Sequence, residues 1–146
     1  MSLTHEEWER MLKKMPMVTV DAVVFKGDRI LLVRRGHEPY KDMWGVPGGF
    51  LEYNETLEEG VKREVKEETG LSISIIDKLG IYDNPKRDPR GHIISIGFVA
   101  EARSGKLIPD PKEVSDLAFF DIIPSNLVPS HKDIIHDALK WKKERL

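Results

Sequence analysis

The sequence contains no cysteine, and this absence excludes several chemistries at once. Without thiols there is no disulfide bond, no cysteine nucleophile and no cysteine-ligated zinc site. A fold that needs no disulfides is compatible with a reducing compartment, so we expect a cytoplasmic protein. The N-terminal segment MSLTHEEWERMLKKM supports this expectation, because it is acidic and helical in pattern and does not have the basic-then-apolar order of a secretory signal.

Strong net charge and long hydrophobic runs are also missing. The 23 basic and 25 acidic residues give a formal net charge of −2, which provides no overall attraction to nucleic acid or to an anionic membrane. The longest apolar stretches, such as DAVVF and ILLV, are far shorter than the roughly 20 residues of a membrane helix. We therefore expect neither nucleic acid nor a membrane as partner, since binding to either would need a local basic patch.

Short strand and helix patterns alternate along the 146 residues. The length suits a single domain over residues 1–146, and 40% hydrophobic with 33% charged residues is typical of globular proteins. Clusters of β-formers between turn signals predict strands at residues 18–25, 30–35, 71–83, 92–102 and 117–122, with a short extended piece within residues 37–49. Apolar residues at helical spacing predict helices at residues 4–14, 57–69 and 130–146. The mixture favours an α/β fold, with helices on two sides of a sheet.

The central predicted helix follows a double glycine and is rich in glutamate. Thr56 and Glu59 form a capping-box pattern at its start, and Gly70 tolerates the left-handed exit at its end. A helical projection places Val61 and Val65 on the buried side. The segment therefore has a defined start, a defined end and one face that packs on the protein.

Three glutamates of this helix, Glu64, Glu67 and Glu68, share one flank because they lie three and four residues apart. Glu64 and Glu68 project beside the buried face, where carboxylates lose hydration and repel one another unless a cation compensates. Oxygen ligands and the absence of cysteine favour Mg²⁺ or Mn²⁺ over zinc. Gly60, on the same flank, is expected to leave room for a ligand. The alternative is a solvated acidic helix without chemistry.

The glycines, the helix and the glutamates together resemble the Nudix box. Its pattern is GX5EX7REUXEEXGU, where U is a bulky aliphatic residue, and residues 49–71 match it at every defined position. The matching residues are Gly49, Glu55, Arg63, Glu64, Val65, Glu67, Glu68, Gly70 and Leu71. The resemblance implies an α/β/α sandwich with a mixed β-sheet. It also implies metal-dependent hydrolysis of a nucleoside diphosphate linked to another moiety.

The resemblance further implies roles for individual residues. The implied metal ligands are the carboxylates of Glu64, Glu67 and Glu68 and the carbonyl oxygen of Gly49. Arg63, together with Glu55, is expected to brace the carboxylates. Nudix members differ in the acid that acts as base, and Glu64 is one candidate. Glu113, in the late segment PDPKEVSD, is the other candidate, with a solvated loop acid as the alternative.

The flanks of the box resemble the ADP-ribose pyrophosphatase branch of the Nudix family. The similar segments are EPYKDMWGVPGGFLEYNE before and into the box and YDNPKRDPRGHIISIGF after it. The implied reaction is hydrolysis of ADP-ribose to AMP and ribose 5-phosphate. The alternatives are a nucleoside triphosphate or a dinucleotide as substrate, and a non-catalytic module that senses ADP-ribose. Dimers are frequent in this branch, so the oligomeric state stays open between a monomer and a homodimer.

Four residues in and near these flanks are candidate substrate contacts: Arg35, Trp44, Arg87 and Arg90. The arginines suit a phosphate or a ribose, and the tryptophan suits a base on which it stacks. As alternatives, the two arginines after the box pair with Asp83 or Asp88, and the tryptophan packs in the core. His92 and His131 have no ligand-like spacing, so we interpret both as structural or, at most, near the substrate.

Overall fold

The computed structural model describes residues 2–145 as three layers, with a helix packed on each face of one β-sheet. The helices are α1 (His5–Lys14), α2 (Leu57–Thr69) and α3 (Lys132–Glu144), and a 3₁₀ turn at Pro129–His131 precedes α3. The strands are β1 (Met17–Lys26), β2 (Arg29–Arg35), β3 (Trp44–Gly45), β4 (Gly48–Phe50), β5 (Ser72–Tyr82), β6 (Ile93–Ser104) and β7 (Val114–Phe120). The expected α/β/α sandwich with a mixed sheet is confirmed.

The predicted domain begins at Met1 and ends at Leu146, where the predicted C-terminal helix also ends. Both of these residues lie outside the described part of the chain. Across residues 2–145, no helix is both long enough and apolar enough to cross a membrane.

Strand β1 is the central strand, and its neighbours differ along its length. On one side it runs parallel to β6 along residues 17–25. On the other side it is antiparallel to β4 at residues 19–21 and to β2 at residues 25–26. β2 then continues beside β3 and β7, and β5 pairs with β6 at the opposite edge. β4 and its two glycines therefore lie beside the first half of β1, on the side where β2 pairs with the end of β1.

Alternation of side chains along β1 builds a core on each face of the sheet. Val20, Ala22 and Val24 face α2 and pack in one cluster with Val61 and Val65 of that helix. The intervening apolar residues of β1 belong to a second cluster, which α3 completes. Because both faces are covered, β1 has the nearly continuous apolar sequence of a strand buried on both sides.

Strand β7 begins earlier than predicted, whereas the other predicted elements agree within two residues. The observed strand is Val114–Phe120 in place of residues 117–122. Arg35 on β2 pairs with Val114 beyond a bulge, and this pairing extends β7 towards its N-terminus. Ser115 and Asp116 are exposed, so their polar side chains conceal the strand in the sequence.

Helix α2 has the predicted bounds and the predicted caps. The Thr56 hydroxyl accepts a hydrogen bond from the Glu59 amide, and the Glu59 carboxylate accepts one from the Thr56 amide, each at 3.1 Å. Gly70 ends the helix with φ 82°. Residues 56–70 therefore set the register of every side chain on this helix.

Gly60 does not provide space for a ligand, contrary to the expectation from the sequence. It is buried, and a Cβ atom there would lie 2.6 Å from Leu51 Cδ1 and 3.2 Å from Glu55 Oε1. The protein's own Leu51 occupies the space that the missing side chain leaves. The glycine therefore serves the packing of the loop before α2.

The exit of α2 leads to a prediction for stability. Gly70 has a positive φ, and a Cβ atom there would collide with the carbonyl oxygen of Lys106. Gly27 also has a positive φ, at 62°, but nothing lies within 4 Å of its Cβ position. The left-handed conformation alone costs a non-glycine residue about 1 kcal/mol.

We expect Gly70→Ala to lower the free energy of unfolding by at least about 1 kcal/mol more than Gly27→Ala. The measurement is urea unfolding of both variants and the native protein. Equal losses in the two variants would show that the Lys106 carbonyl exerts no constraint on Gly70.

Candidate active site

The glutamates of α2 lie directly against the double glycine of β4. Glu68 Oε1 accepts a hydrogen bond from the Gly48 amide at 2.8 Å. A Cβ atom on Gly49 would lie 2.5 Å from the carboxyl carbon of Glu64, a distance that no real side chain adopts. Only glycine allows the strand to approach the carboxylate this closely, which explains the glycine at position 49 of the box.

Arg63 connects the glutamates of the box to one another. Its guanidinium donates to both carboxylate oxygens of Glu55, to Glu64 Oε1 at 2.8 Å and to Glu67 Oε2 at 3.2 Å. It also donates to the carbonyl oxygen of Phe50 at 3.1 Å. The hydrogen bond with Arg63 holds the pKa of the Glu55 carboxyl below its usual range. The structure thus places Arg63 and Glu55 in the bracing position that the family resemblance implies.

The acidic flank of α2 is poorly hydrated. Burial raises the pKa of Glu64, against the opposing effect of Arg63. Burial also raises the pKa of Glu68 well above its usual range, and the charge of Glu64 adds to this shift. Glu67 is different, since its side chain is 55% exposed. Two desolvated carboxylates held side by side are the arrangement that a bound cation would stabilise.

A fourth acid, Asp21, lines the same cleft and was missed in the sequence. It lies on β1 and is only 5% exposed. Burial raises the pKa of this carboxyl to about 7 against the opposing effect of Arg87, and the nearby Glu64 raises it further. The available signal was a single aspartate in the otherwise apolar strand VTVDAVVF, because such a residue is rarely buried without a function.

Two of the predicted arginines, Arg35 and Arg90, line the same cleft as the glutamates, and we call them its basic wall and the glutamates its acidic wall. Arg35 donates through Nε to the Pro39 carbonyl oxygen at 2.6 Å, and burial together with the charge of Arg90 lowers its pKa. Arg90 pairs with Asp88 at 2.9 Å, as one of the sequence alternatives predicted, and lies over the Phe50 ring at 5.1 Å. The cleft therefore carries positive charge as well as the carboxylates of the glutamates.

Arg87 is buried more deeply than the other two arginines, with 9% of its side chain exposed. It pairs with neither Asp83 nor Asp88. It donates instead to Ser95 Oγ at 3.0 Å and to the Ser130 carbonyl oxygen, and it lies 3.5 Å from Asp133. Its Nε is buried without a hydrogen-bond partner in the described part of the chain. Arg87 thus joins the cleft floor to the start of α3.

Trp44 lies away from the cleft. Its ring packs edge-on against Phe120 at 4.8 Å between centroids, beside the core on the α3 face of the sheet. Its backbone pairs with Arg34 of β2 and with Leu127. Of the two alternatives for Trp44, the structure favours packing.

The remaining candidates lie at the rim or below the cleft. Glu113 lines the rim, and its carboxylate lies 2.6 Å from Nε2 of His37. His92 contacts the Asp83 carbonyl oxygen at 3.3 Å. His131 accepts a hydrogen bond from the Val46 amide through Nδ1 at 3.0 Å. Both histidines that the sequence assigned no ligand role are therefore engaged with backbone groups.

One cleft lies beside most of the predicted site residues. Its lining includes Gly49, Glu64, Glu67, Glu68, Arg35, Arg87, Arg90 and Glu113, together with Asp21 and His131. Arg63 supports the glutamates from behind, and Trp44 does not line the cleft. Comparison with known protein families matches residues 15–138 to the NUDIX domain. The chain belongs to the Nudix family.

Individual relatives agree with this assignment. An ADP-ribose pyrophosphatase of Methanocaldococcus jannaschii is 45% identical over 131 residues, which are 87% of this chain and 75% of the relative. A bifunctional NMN adenylyltransferase/ADP ribose pyrophosphatase of Francisella tularensis, solved with AMP and a Mn ion, is 28% identical with a TM-score of 0.78. The match covers 93% of this chain and 46% of that chain. The NUDIX domain of Shewanella oneidensis NrtR, solved with ADP ribose, is 28% identical with a TM-score of 0.76 and coverage of 98% and 99%.

Nudix hydrolases use divalent metal ions, and the donor chemistry of the cleft fits such an ion. Its acidic side offers only oxygen donors, and the mutual repulsion of Glu64 and Glu68 is what a cation would relieve. The side chains themselves do not form a ready cage. Among residues 2–145, no group of three or more histidine, aspartate or glutamate side chains converges closely enough to hold a metal. Arg63 and the Gly48 amide occupy oxygens that would otherwise face an ion.

The environment of His131 leads to a prediction about pH. Burial, with the charges of Arg87 and Arg35, lowers the pKa of His131 from 6.5 to about 3. Its stabilising contribution is therefore complete above pH 6.5 and is lost as the pH falls from there towards 3, because only the unfolded state binds the proton in this range.

We expect the native protein to lose about 3 kcal/mol more unfolding free energy than His131→Asn between pH 7 and pH 4. Asparagine retains an acceptor for the Val46 amide but does not titrate. Urea unfolding at several pH values measures the difference. His136→Asn, at an exposed position, is the control and should follow the native curve. Parallel curves for the native protein and His131→Asn would contradict the prediction.

Proposed function

We propose that this Nudix protein hydrolyses ADP-ribose to AMP and ribose 5-phosphate with Mg²⁺ or Mn²⁺, in a single domain over residues 1–146. The observation that carries the proposal is a single cleft that is lined both by desolvated glutamates and by arginines. This combination suits a pyrophosphate linkage, because arginines can neutralise its oxygens and a metal ion held by the glutamates would do the same. The ADP-ribose pyrophosphatase of Methanocaldococcus jannaschii supports the choice of substrate.

The acidic wall is proposed to hold the metal. The proposed ligands are the carboxylates of Glu64, Glu67 and Glu68 and the carbonyl oxygen of Gly49. A divalent ion held by these residues would neutralise phosphate oxygens and would lower the pKa of a bound water. Arg63 holds the carboxylates in position by hydrogen bonds. Gly49 has no side chain that would separate Glu64 from the strand.

The basic wall is proposed to bind the diphosphate. Arg35 and Arg90 lie in the same cleft, and their positive charges repel each other. The anionic diphosphate of the substrate would offset this repulsion. Arg87, with most of its guanidinium engaged, is proposed to position the floor beneath the substrate. Trp44 has no part in binding under this proposal, since its ring is packed against Phe120.

A carboxylate at the rim completes the proposed site. Glu113 lies on the loop before β7, and its charge influences both Glu68 and Arg35. We assign to it the removal of a proton from the attacking water, a role for which a carboxylate needs access to the substrate. Glu64, the other candidate, accepts a hydrogen bond from Arg63 and is less accessible, with 15% of its side chain exposed.

The proposal covers location and partners as well. A nucleotide substrate and the absence of cysteine support a cytoplasmic location. All the residues assigned above belong to one chain, so the proposed site is compatible with a monomer and with a homodimer. The ligand is a small nucleotide, with no nucleic acid or membrane involved.

Product analysis tests this function. The protein is incubated with ADP-ribose, a nucleoside triphosphate or a dinucleoside polyphosphate, each with Mg²⁺, with Mn²⁺ or with EDTA, and products are separated by chromatography. We expect AMP and ribose 5-phosphate at the highest kcat/KM, with turnover abolished by EDTA. Turnover of another compound alone would retain the reaction and refute the substrate. Binding of ADP-ribose without products would favour the alternative that the protein senses ADP-ribose. The NUDIX domain of NrtR, which was solved with ADP ribose, is a similar domain that binds this ligand.

Within the same assay, the acidic wall is tested by a matched pair of variants. We expect Glu68→Gln to lower kcat by at least about a hundredfold, because it removes a negative charge from the proposed metal site. Glu58→Gln makes the same chemical change at an exposed position of α2 and should retain native kcat. Circular dichroism and urea unfolding check that both variants are folded. Native activity in Glu68→Gln would refute the metal assignment.

A further inference from the structure

His37 and Glu113 lie 76 positions apart in sequence and meet at the rim of the cleft. His37 belongs to the loop after β2, and Glu113 belongs to the loop before β7. Nε2 of His37 lies 2.6 Å from Oε2 of Glu113, and Nδ1 of His37 lies 2.8 Å from the carbonyl oxygen of Glu38. The imidazole therefore bridges two oxygen atoms.

Both of these oxygens are acceptors, and this determines the protonation of the ring. A carbonyl oxygen and an ionised carboxylate have no hydrogen to donate, so each ring nitrogen must carry one for both hydrogen bonds to form. A neutral imidazole carries only one. His37 is therefore an imidazolium whenever the Glu113 carboxylate is ionised and both bonds are present.

The charged groups around His37 agree with this conclusion. The hydrogen bonds with Glu113 and with the Glu38 carbonyl raise the pKa of His37, against the opposing effects of burial and of Arg35. The His37 side chain is 45% exposed, so water reaches the pair. The raised pKa extends the range of pH in which the bridge is complete.

The backbone of the Glu113 loop is already anchored at both ends. The amides of Ile108 and Asp110 donate to the carbonyl oxygens of Thr69 and Glu68 at the end of α2, at 2.9 and 3.3 Å. At the other end, the Gly36 amide donates to the Glu113 carbonyl oxygen at 3.0 Å. What the backbone does not restrain is the Glu113 side chain.

His37 supplies that restraint. Within residues 2–145, the Glu113 carboxylate has His37 as its one side-chain partner, and 52% of the side chain is exposed. An exposed glutamate without a partner samples several rotamers, and only some of them direct the carboxylate into the cleft. A single bond to Oε2 selects one rotamer and leaves Oε1 available.

We propose that His37 is a positioning residue, which holds Glu113 by Oε2 so that Oε1 faces the substrate in the cleft. The inference rests on the base role assigned to Glu113 in the proposed function. In the proposed step, Oε1 takes the proton from the attacking water and the water oxygen forms a bond to one phosphorus of the diphosphate. The bond from that phosphorus to the bridging oxygen breaks, the bridging oxygen leaves with the other phosphate, and His37 keeps both of its protons. When the pH exceeds the pKa of His37, the ring loses its charge and keeps one proton for two acceptors, so its hold on Glu113 weakens.

The pair itself is tested without any enzymatic assay. The imidazole nitrogens of the native protein and of Glu113→Gln are titrated by NMR. We expect His37 to titrate above 6.5 in the native protein and at a lower pH in Glu113→Gln, because the hydrogen bond with the Glu113 carboxylate is the main cause that raises its pKa. A pKa of His37 at or below 6.5, or one unchanged in the variant, would overturn the proposal even if the enzyme is active.

The consequence for catalysis is tested by a double-mutant cycle with ADP-ribose as substrate. We expect His37→Leu to lower kcat about tenfold with KM within twofold of native, and to have no further effect in the Glu113→Gln background. His37→Gln, whose amide can still donate to Oε2, should recover most of the loss and show no decline of kcat at alkaline pH from this group. His136→Leu is the surface control.

If the losses of kcat in the two single variants add in the double variant, or if His37→Leu changes KM alone, His37 does not act through Glu113. If the native protein has no turnover of any nucleotide, the proposed function fails. In that case the NMR titration still decides whether the imidazolium pair exists, and a negative titration refutes it.

Discussion

The approach of the Glu64 carboxylate to the backbone of Gly49 is the constraint on which the rest of the structure depends. A charged group is expensive to bring against a strand, and it stays there only where other groups compensate. Arg63 provides part of this compensation, and the Gly48 amide does the same for Glu68. The pairing of the short strand β4 with β1 holds the backbone of Gly49 at the carboxylate, and Gly48 leaves room for Asp21 and for the Val20 carbonyl oxygen on β1.

The two walls of the cleft arise from different levels of organisation. The acidic wall is local, because β4, α2 and the bond network of Arg63 lie within 26 consecutive residues, 45–70. The basic wall is assembled from distant segments, with Arg35 at the end of β2 and Arg90 in the connection between β5 and β6. Changes in the flanking segments can therefore alter substrate contacts while the acidic wall is retained.

This difference explains what could be predicted from the sequence. Helix α2 was predicted to the residue because its caps and its apolar stripe are local signals. The partners of Arg87 were not predictable, since Ser95, Ser130 and Asp133 are brought to it by the sheet and by α3. The space beside Gly60 was assigned wrongly because Leu51, which fills it, lies on a loop whose path has no periodic pattern.

Some residues suit two different roles, and for these the sequence alone does not predict which role the structure uses. Trp44 suits both a stacking role and a core role, and only the position of Phe120 decides between them. Asp21 lies in a segment that reads as an ordinary strand, so its burial as an acid was not recognised. The contact of His37 with Glu113 joins two loops that are far apart in the sequence.

The attachment of the Glu113 loop to the end of α2 affects how this protein can accommodate insertions and deletions. The last carbonyl groups of a helix carry partial negative charge and need donors, and here the amides of Ile108 and Asp110 supply them. A length change between residues 104 and 110 would shift these donors and so disturb the end of the helix that carries Glu68. The exposed turn at residues 84–86 has no such attachment to α2, so the chain can tolerate changes in length there with less effect on the acidic wall.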